Sequence, residues 1–242
     1  MHQRLRRFWD EDAEVYDRSP THAGTEPVEA AVWRAALVRH LPPPPASILD
    51  AGAGTGAISL LLADMGYRVM ALDLSPAMLS RAIEKAAARN LAVDTWVAPA
   101  TQPPPGPFDA VLERHLLWTL PEPVEALRAW RSVAPRLISY EGIFGSISLP
   151  FRARRQVAGA VRRLLRVAHD HHAEYEPDLF AALPLAGGMR PAALIEMLAE
   201  SGWSRFRLER LRDVEWARRL GALNPLLGYL ESVPHFALLA EA

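Results

Sequence analysis

No cysteine occurs among the 242 residues, which removes disulfides, thiolate nucleophiles and Cys-ligated zinc from consideration. An excess of either charge is also missing. The 27 Lys and Arg against 28 Asp and Glu leave a net charge of −1 and a pI near 6.7. Without a global positive field a nucleic-acid partner is disfavoured. No apolar run is long enough for a membrane span, and the opening MHQRLRRFWDEDAEVYD is charged where a signal peptide is apolar. These absences predict a cytoplasmic protein with no membrane partner. Half of the residues are hydrophobic, enough for a large core, and the length suits one α/β domain, residues 1–242, with an insertion.

What is present is concentrated in Ser47 to Ser80, SILDAGAGTGAISLLLADMGYRVMALDLSPAMLS. Ile48 and Leu49 lead a buried strand into Asp50. Gly52, Gly54 and Gly56 then alternate through a bend where backbone approaches a ligand without Cβ atoms in the way. A helix over Gly56 to Met65 follows, its free N–H groups and positive dipole end facing the same crevice. The next strand, Tyr67 to Leu74, brings Asp73 to its carboxyl end about twenty residues after the glycines, the spacing at which an acid meets ribose hydroxyls. Ser75 caps the next helix and Pro76 takes its first position.

Two cofactor classes use this geometry. Gly52, Gly54 and Ala57 satisfy G-x-G-x-x-G/A, so a nicotinamide-dependent oxidoreductase is a competitor. The third glycine, however, stands at 56, and the Asp50 carboxylate suits a cationic amino group and repels a pyrophosphate. The string Asp50-Ala51-Gly52-Ala53-Gly54-Thr55-Gly56 closely resembles motif I of the class I S-adenosylmethionine (SAM)-dependent methyltransferases, and LDLSPAML resembles the family's next motif. Phe108-Asp109-Ala110-Val111, continuing through Leu120 into Pro121-Glu122-Pro123, resembles the fourth-strand region of the UbiE-like small-molecule members. The likeness covers Ile48 to about Ser148 well and the rest loosely.

The resemblance implies a Rossmann-like, seven-stranded, mostly parallel sheet with helices on both faces, SAM as cofactor and a small-molecule acceptor. Asp50 would face the amino-acid end of SAM, Gly52, Gly54 and Gly56 would shape its loop, and Asp73 would hold its ribose. Two departures stand out. Ala98-Pro99-Ala100 replaces the string whose acid commonly binds the adenine amine, leaving that role to backbone at Ala98 and Pro99 and to stacking on Leu74 or Trp96. The usual proline-glycine-glycine turn before strand five is absent, and Ala134-Pro135-Arg136 stands there.

Along the chain, two helices are expected over His2 to Tyr16 and Pro27 to His40, forming an N-terminal segment 1–46 that Pro42 to Pro45 closes. Strand and helix then alternate through Asp50, Asp73, Val97, Val111 and about Ser146, the pattern of a parallel sheet covered on both faces. Residues 151–185 read as an inserted helical cap, with Val157, Val161, Leu164 and Leu165 at helical spacing. Arg152, Arg154, Arg155, Arg162, Arg163 and Arg166 are interleaved there as a solvated face or an attraction for an anionic acceptor. A helix from about Pro191 to Ser201, a strand from Phe206 to Trp216, an irregular stretch and a last strand from His235 to Leu239 complete the reading.

Methyl transfer from a sulfonium needs positioning above all, with a general base only where the acceptor holds its proton. His115, just after strand four, is the expected base, because imidazole titrates near neutrality. Glu113 and Arg114 beside it would contact cofactor or substrate, and Glu113 is grouped with the cofactor. Tyr16 resembles the N-terminal tyrosine that closes over SAM in related enzymes. Trp118, His171, His172 and Tyr175 are expected to line the acceptor pocket. No carboxylate–histidine spacing supports a metal site. The expected function is methyl transfer to an oxygen or nitrogen of a small molecule in natural-product biosynthesis, by a monomer or homodimer. Alternatives are an NAD(P)-dependent oxidoreductase and a non-catalytic SAM-binding protein.

Overall fold

A computed structural model describes residues 1–18, 27–143, 149–165, 175–186, 188–222 and 224–242. Seven strands form one sheet: β1 (Ser47–Ala51), β2 (Arg68–Asp73), β3 (Asp94–Val97), β4 (Ala110–Arg114), β5 (Arg136–Gly142), β6 (Ser204–Arg210) and β7 (His235–Glu241). Their order is β3-β2-β1-β4-β5-β7-β6, and β7 runs antiparallel to both its neighbours. The expected mostly parallel, seven-stranded Rossmann-like sheet is therefore present. The chain reverses direction across the sheet at β1, between β2 and β4, and the crevice outside the carboxyl ends of those strands is where α/β sheets bind ligands.

The helices are α1 (His2–Asp12), α2 (Pro27–His40), α3 (Ala57–Asp64), α4 (Pro76–Ala88), α5 (Pro123–Arg131), α6 (Leu149–Leu165), α7 (Pro177–Ala181), α8 (Pro191–Glu200), α9 (Arg212–Leu220) and α10 (Pro225–Glu231). Alternation along the strands sorts their side chains to two faces. Ile48, Leu112 and Ile138 pack with Trp33 and Leu37 of α2, Leu61 and Leu62 of α3 and Val214 of α9. Leu49, Val111 and Leu137 pack on the other face with Leu127 and Trp130 of α5 and Leu194 and Leu198 of α8. Each fully buried Leu or Ile stabilises the fold by about 1.5–3 kcal/mol, so two such layers hold the strand ends in fixed register.

Four elements differ from expectation. The first helix stops at Asp12, and Tyr16 lies in a separate short turn, Tyr16–Arg18. β5 ends at Gly142. The strand expected to reach Trp216 ends at Arg210, and α9 follows. Buried Leu211, Val214 and Ala217 recur at intervals of three, a helical spacing, and Asp213 and Glu215 in the first turn with Arg218 and Arg219 in the last suit the helix dipole. The stretch read as irregular contains α10, whose first amides at Leu226 and Leu227 donate to the Asn224 side chain at 2.9 and 3.3 Å.

Within the expected cap, Arg154 and Arg162 are tethers and not a solvated face. Arg154 donates to the carbonyls of Tyr229 and Ser232, each at 2.8 Å, and Arg162 pairs with Glu231 at 2.7 Å, fixing α6 to α10. Arg166 and the side chains of Arg152 and Arg155 lie outside the described residues.

Candidate active site

The turn from β1 into α3 is built on glycines for two different reasons. Gly56 has φ +85°, and a Cβ there would meet the Cβ of Ala82 on α4 at 2.9 Å, so this glycine permits helix packing. Gly54 has φ +56°, and the nearest atom to its would-be Cβ is Cε1 of Tyr16 at 4.0 Å. The space over Gly54 is therefore open, floored by backbone and walled by a tyrosine, a cradle that fits a flat adenosine group.

Asp73 ends β2 beside this cradle. Its Oδ2 accepts the Gly54 N–H at 2.8 Å and its Oδ1 accepts the Ser75 N–H at 2.9 Å. Burial pushes its carboxyl up to about 6, against the lowering effect of those bonds. Each oxygen keeps further acceptor capacity toward the crevice. Ser75 caps α4 as expected, accepting the Met78 N–H at 3.1 Å. Asp50 is 2% exposed at the end of β1, and its Oδ2 accepts the Ser59 hydroxyl at 2.5 Å. Burial lifts it to about 6, while Ser59 and the charge of Arg114 oppose the shift. Ala98 donates its N–H to the Asp73 carbonyl at 3.0 Å, so Ala98 and Pro99 extend the crevice rim from β3. Trp96 is 42% exposed on β3 with its indole N–H on the Gln102 carbonyl.

The N-terminal segment seals this half of the crevice. Asp17 accepts the Thr55 hydroxyl at 2.6 Å and Lys85 at 2.8 Å, and Asp10 accepts the Ser75 hydroxyl at 2.6 Å. These bonds set Tyr16 against Gly54, and burial raises the Tyr16 phenol above its ordinary value.

At the carboxyl end of β4 the chain turns sharply. His115 has φ +61°, a left-handed conformation uncommon for a residue with a Cβ and one that clusters at functional sites. Its N–H bonds the Tyr140 carbonyl at 3.0 Å, and Nδ1 lies 3.4 Å from Oε2 of Glu141. Glu113 is fully buried, accepting the Ser139 hydroxyl and, at 3.0 Å, the Leu116 N–H. It thus turns away from the crevice and fixes the loop from behind. Burial raises both carboxyls, Glu113 to about 7 and Glu141 well above the ordinary range, and the charge of Glu113 adds to the rise at Glu141. Leu116 in turn fills the space where a Cβ on Gly52 would sit, 2.6 Å from its Cδ1, so the β4 exit packs on the glycine turn.

Aromatic rings cover the crevice. Tyr175 stacks on Phe8 at 4.2 Å and meets Trp9 and Trp118 edge-on at 5.9 and 6.0 Å. Leu74 packs against the same group, beside Leu5 and Leu179. Trp118 and Tyr175, expected at the acceptor pocket, and Leu74, expected beside the adenine, are thereby brought together. The Tyr175 hydroxyl is buried with no hydrogen-bond partner among the described residues. His171 and His172 lie outside the described residues. No cluster of three or more His, Asp or Glu suited to a metal, and no helix long and apolar enough to cross a membrane, occurs among the described residues.

A family model described as "Methyltransferase domain" matches residues 49–136, from β1 to the start of β5. The ubiquinone biosynthesis O-methyltransferase of Xanthomonas campestris pv. campestris (strain B100) is 28% identical over 217 residues, 87% of either chain. Residues 49–136 match a methyltransferase domain, and the protein is a SAM-dependent methyltransferase. The trans-aconitate 2-methyltransferase of Streptomyces avermitilis is 28% identical over 221 residues, 85% of this chain and 78% of that one. The magnesium protoporphyrin IX methyltransferase of Synechocystis PCC 6803, solved with bound SAH (S-adenosylhomocysteine), shares the fold at a TM-score of 0.56, with 18% identity over 91% of this chain and 85% of that one. This methyltransferase therefore uses SAM on a small-molecule acceptor.

Sequence reasoning missed several residues of the methyltransferase site: Asp10, Asp17, Lys85, Glu141, Arg218 and His235. Asp17 directly follows the tyrosine already singled out, and Glu141 stands near the end of a strand beside β4; both positions were signals. Arg218 and His235 carried none, because their meeting depends on α9, whose residues read as the end of a strand and the start of an irregular stretch.

Proposed function

We propose that this methyltransferase methylates an oxygen or nitrogen of a small-molecule acceptor in natural-product biosynthesis, with His115 as general base. The observation that carries the reading is the placement of His115 at the β4 exit, its Nδ1 3.4 Å from Glu141 and its neighbour Leu116 packed on Gly52. An Nδ1–H directed to Glu141 leaves Nε2 as the basic nitrogen of the ring, able to take a proton from a hydroxyl or an amine.

Asp73 would accept from the ribose hydroxyls of SAM, Asp50 would face its ammonium, and Gly52, Gly54 and Gly56 would line its loop. Tyr16, Leu74, Ala98 and Pro99 would enclose its adenosine, while Glu113 would act through the loop it pins. Bound SAM supplies a methyl group on a sulfonium, whose leaving group is a neutral thioether. Tyr175 and Trp118 exclude water and, with His171 and His172, would line the acceptor side. The names of two relatives, an O-methyltransferase and a trans-aconitate methyltransferase, support oxygen as the accepting atom.

The test is incubation with methyl-labelled SAM and matched panels of phenols, hydroxy acids and amines, with the labelled products located by NMR. Label on oxygen or nitrogen supports the reading. Label on carbon, or turnover unaffected by loss of the His115 imidazole, contradicts it.

A further inference from the structure

We infer that the acceptor carries a carboxylate, bound by Arg114 with Arg218 beside it; this rests on the methyltransferase reading above and names the substrate class of the same site. Trp33 of α2 is the reference point. It is 1% exposed, and the Arg114 guanidinium lies over its ring, 5.4 Å from the centroid. The indole N–H donates to Oε1 of Glu29 at 3.2 Å, and Nε of Arg218 donates to the same oxygen at 3.1 Å. The indole thus carries the Arg114 guanidinium over its ring and shares with Arg218 a single carboxylate, that of Glu29.

The surrounding charges do not restore the balance. Nδ1 of His235 is 2.9 Å from the Val233 carbonyl, which only an N–H can satisfy, so that nitrogen carries the proton. Nε2 then accepts from Arg218 at 2.6 Å, and His235 is neutral; burial and the adjacent Arg218 charge push its pKa well down. Glu215 is engaged by Nε and one terminal nitrogen of Arg210, at 2.9 and 3.0 Å, and by the His235 amide. Asp50 feels the field of Arg114 but bonds Ser59. Glu113 and Glu141 lie on the opposite face of the sheet, where Glu113 accepts the Ser139 hydroxyl. Glu29 answers Arg218, and no carboxylate pairs with Arg114 among the described residues.

A half-buried guanidinium without an anion is costly, and its planar fork matches a carboxylate in two parallel bonds. Arg114 immediately precedes His115, whose ring is 5.5 Å from that of His235. A carboxylate on Arg114 therefore leaves the remainder of the molecule beside the base. The amino-acid end of SAM is the other possible source of a carboxylate here, and the experiment separates the two.

Benzoate and its neutral isostere benzamide are titrated calorimetrically into the wild-type protein saturated with SAH, into Arg114→Gln and into Arg114→Lys, with folding checked by thermal melts. SAH is titrated separately into each. Benzoate is expected to bind the wild-type SAH complex at least about tenfold more tightly than benzamide, to lose that margin in Arg114→Gln and to keep part of it in Arg114→Lys. SAH affinity should stay within about twofold across the three proteins. Equal binding of the two probes, or binding of neither, overturns the inference. So does a tenfold-scale loss of SAH affinity in Arg114→Gln, which assigns the carboxylate to the cofactor. Wild-type protein that does not bind SAH at all overturns the methyltransferase reading, and this inference with it.

Discussion

The backbone N–H of Gly54 donates to the Asp73 carboxylate at 2.8 Å, joining the glycine turn after β1 to the end of β2. One acid therefore shapes the cofactor loop and faces the crevice. Asp73→Ala removes both effects, and SAM should bind about 1–3 kcal/mol more weakly, roughly a factor of five to 150. Calorimetry with SAH measures this, and wild-type affinity in the variant would refute the assignment.

Two glycine substitutions should separate binding from folding. Gly54→Ala adds a Cβ into open space and costs about 1 kcal/mol for its left-handed backbone, yet it intrudes on the cradle. Gly56→Ala drives a Cβ into Ala82. Thermal melts and SAH titration should show the first variant losing affinity out of proportion to stability, and the second losing stability foremost. The reverse pattern would misplace the cradle.

His115→Asn is the informative change at the proposed base, because asparagine tolerates the left-handed backbone that His115 adopts. Turnover should fall by about a hundredfold, the scale of general-base assistance, with SAH affinity nearly unchanged. Undiminished turnover would exclude His115 from proton transfer.

The glycine string, Asp73 and the Ser75 cap were legible because each is a local device whose residues stand close in sequence. Alternation of strand and helix fixed the sheet for the same reason. The acceptor side was far less legible. Glu29 and Arg218 are 189 residues apart and meet only through packing of α9 on α2. Arg154 and Arg162 read as a charged surface, since sequence spacing does not disclose that α10 returns to lie against α6. Glu113, two residues before the turn at His115, resembled a crevice residue; strand alternation sends it to the face opposite Arg114.

Asp50 and Asp73, both pushed up to about 6 from 3.8, predict two opposite pH effects. Their ionised forms suit the ammonium and ribose of SAM, so affinity should weaken as pH falls through about 6. Stability of the ligand-free protein changes the other way. Between pH 4 and 6 the folded state retains protons that the unfolded state has lost, so these two acids lower stability as pH rises across that window. The melting temperature of Asp50→Asn should therefore gain on that of wild type from pH 4 to pH 6. A difference independent of pH would show that Asp50 is not raised.

The most direct test of the account is calorimetric titration of the wild-type protein with SAH and, separately, with NAD. The account predicts micromolar SAH binding and no binding of NAD. NAD binding without SAH binding would contradict it and make Asp73 a ligand of a dinucleotide's ribose.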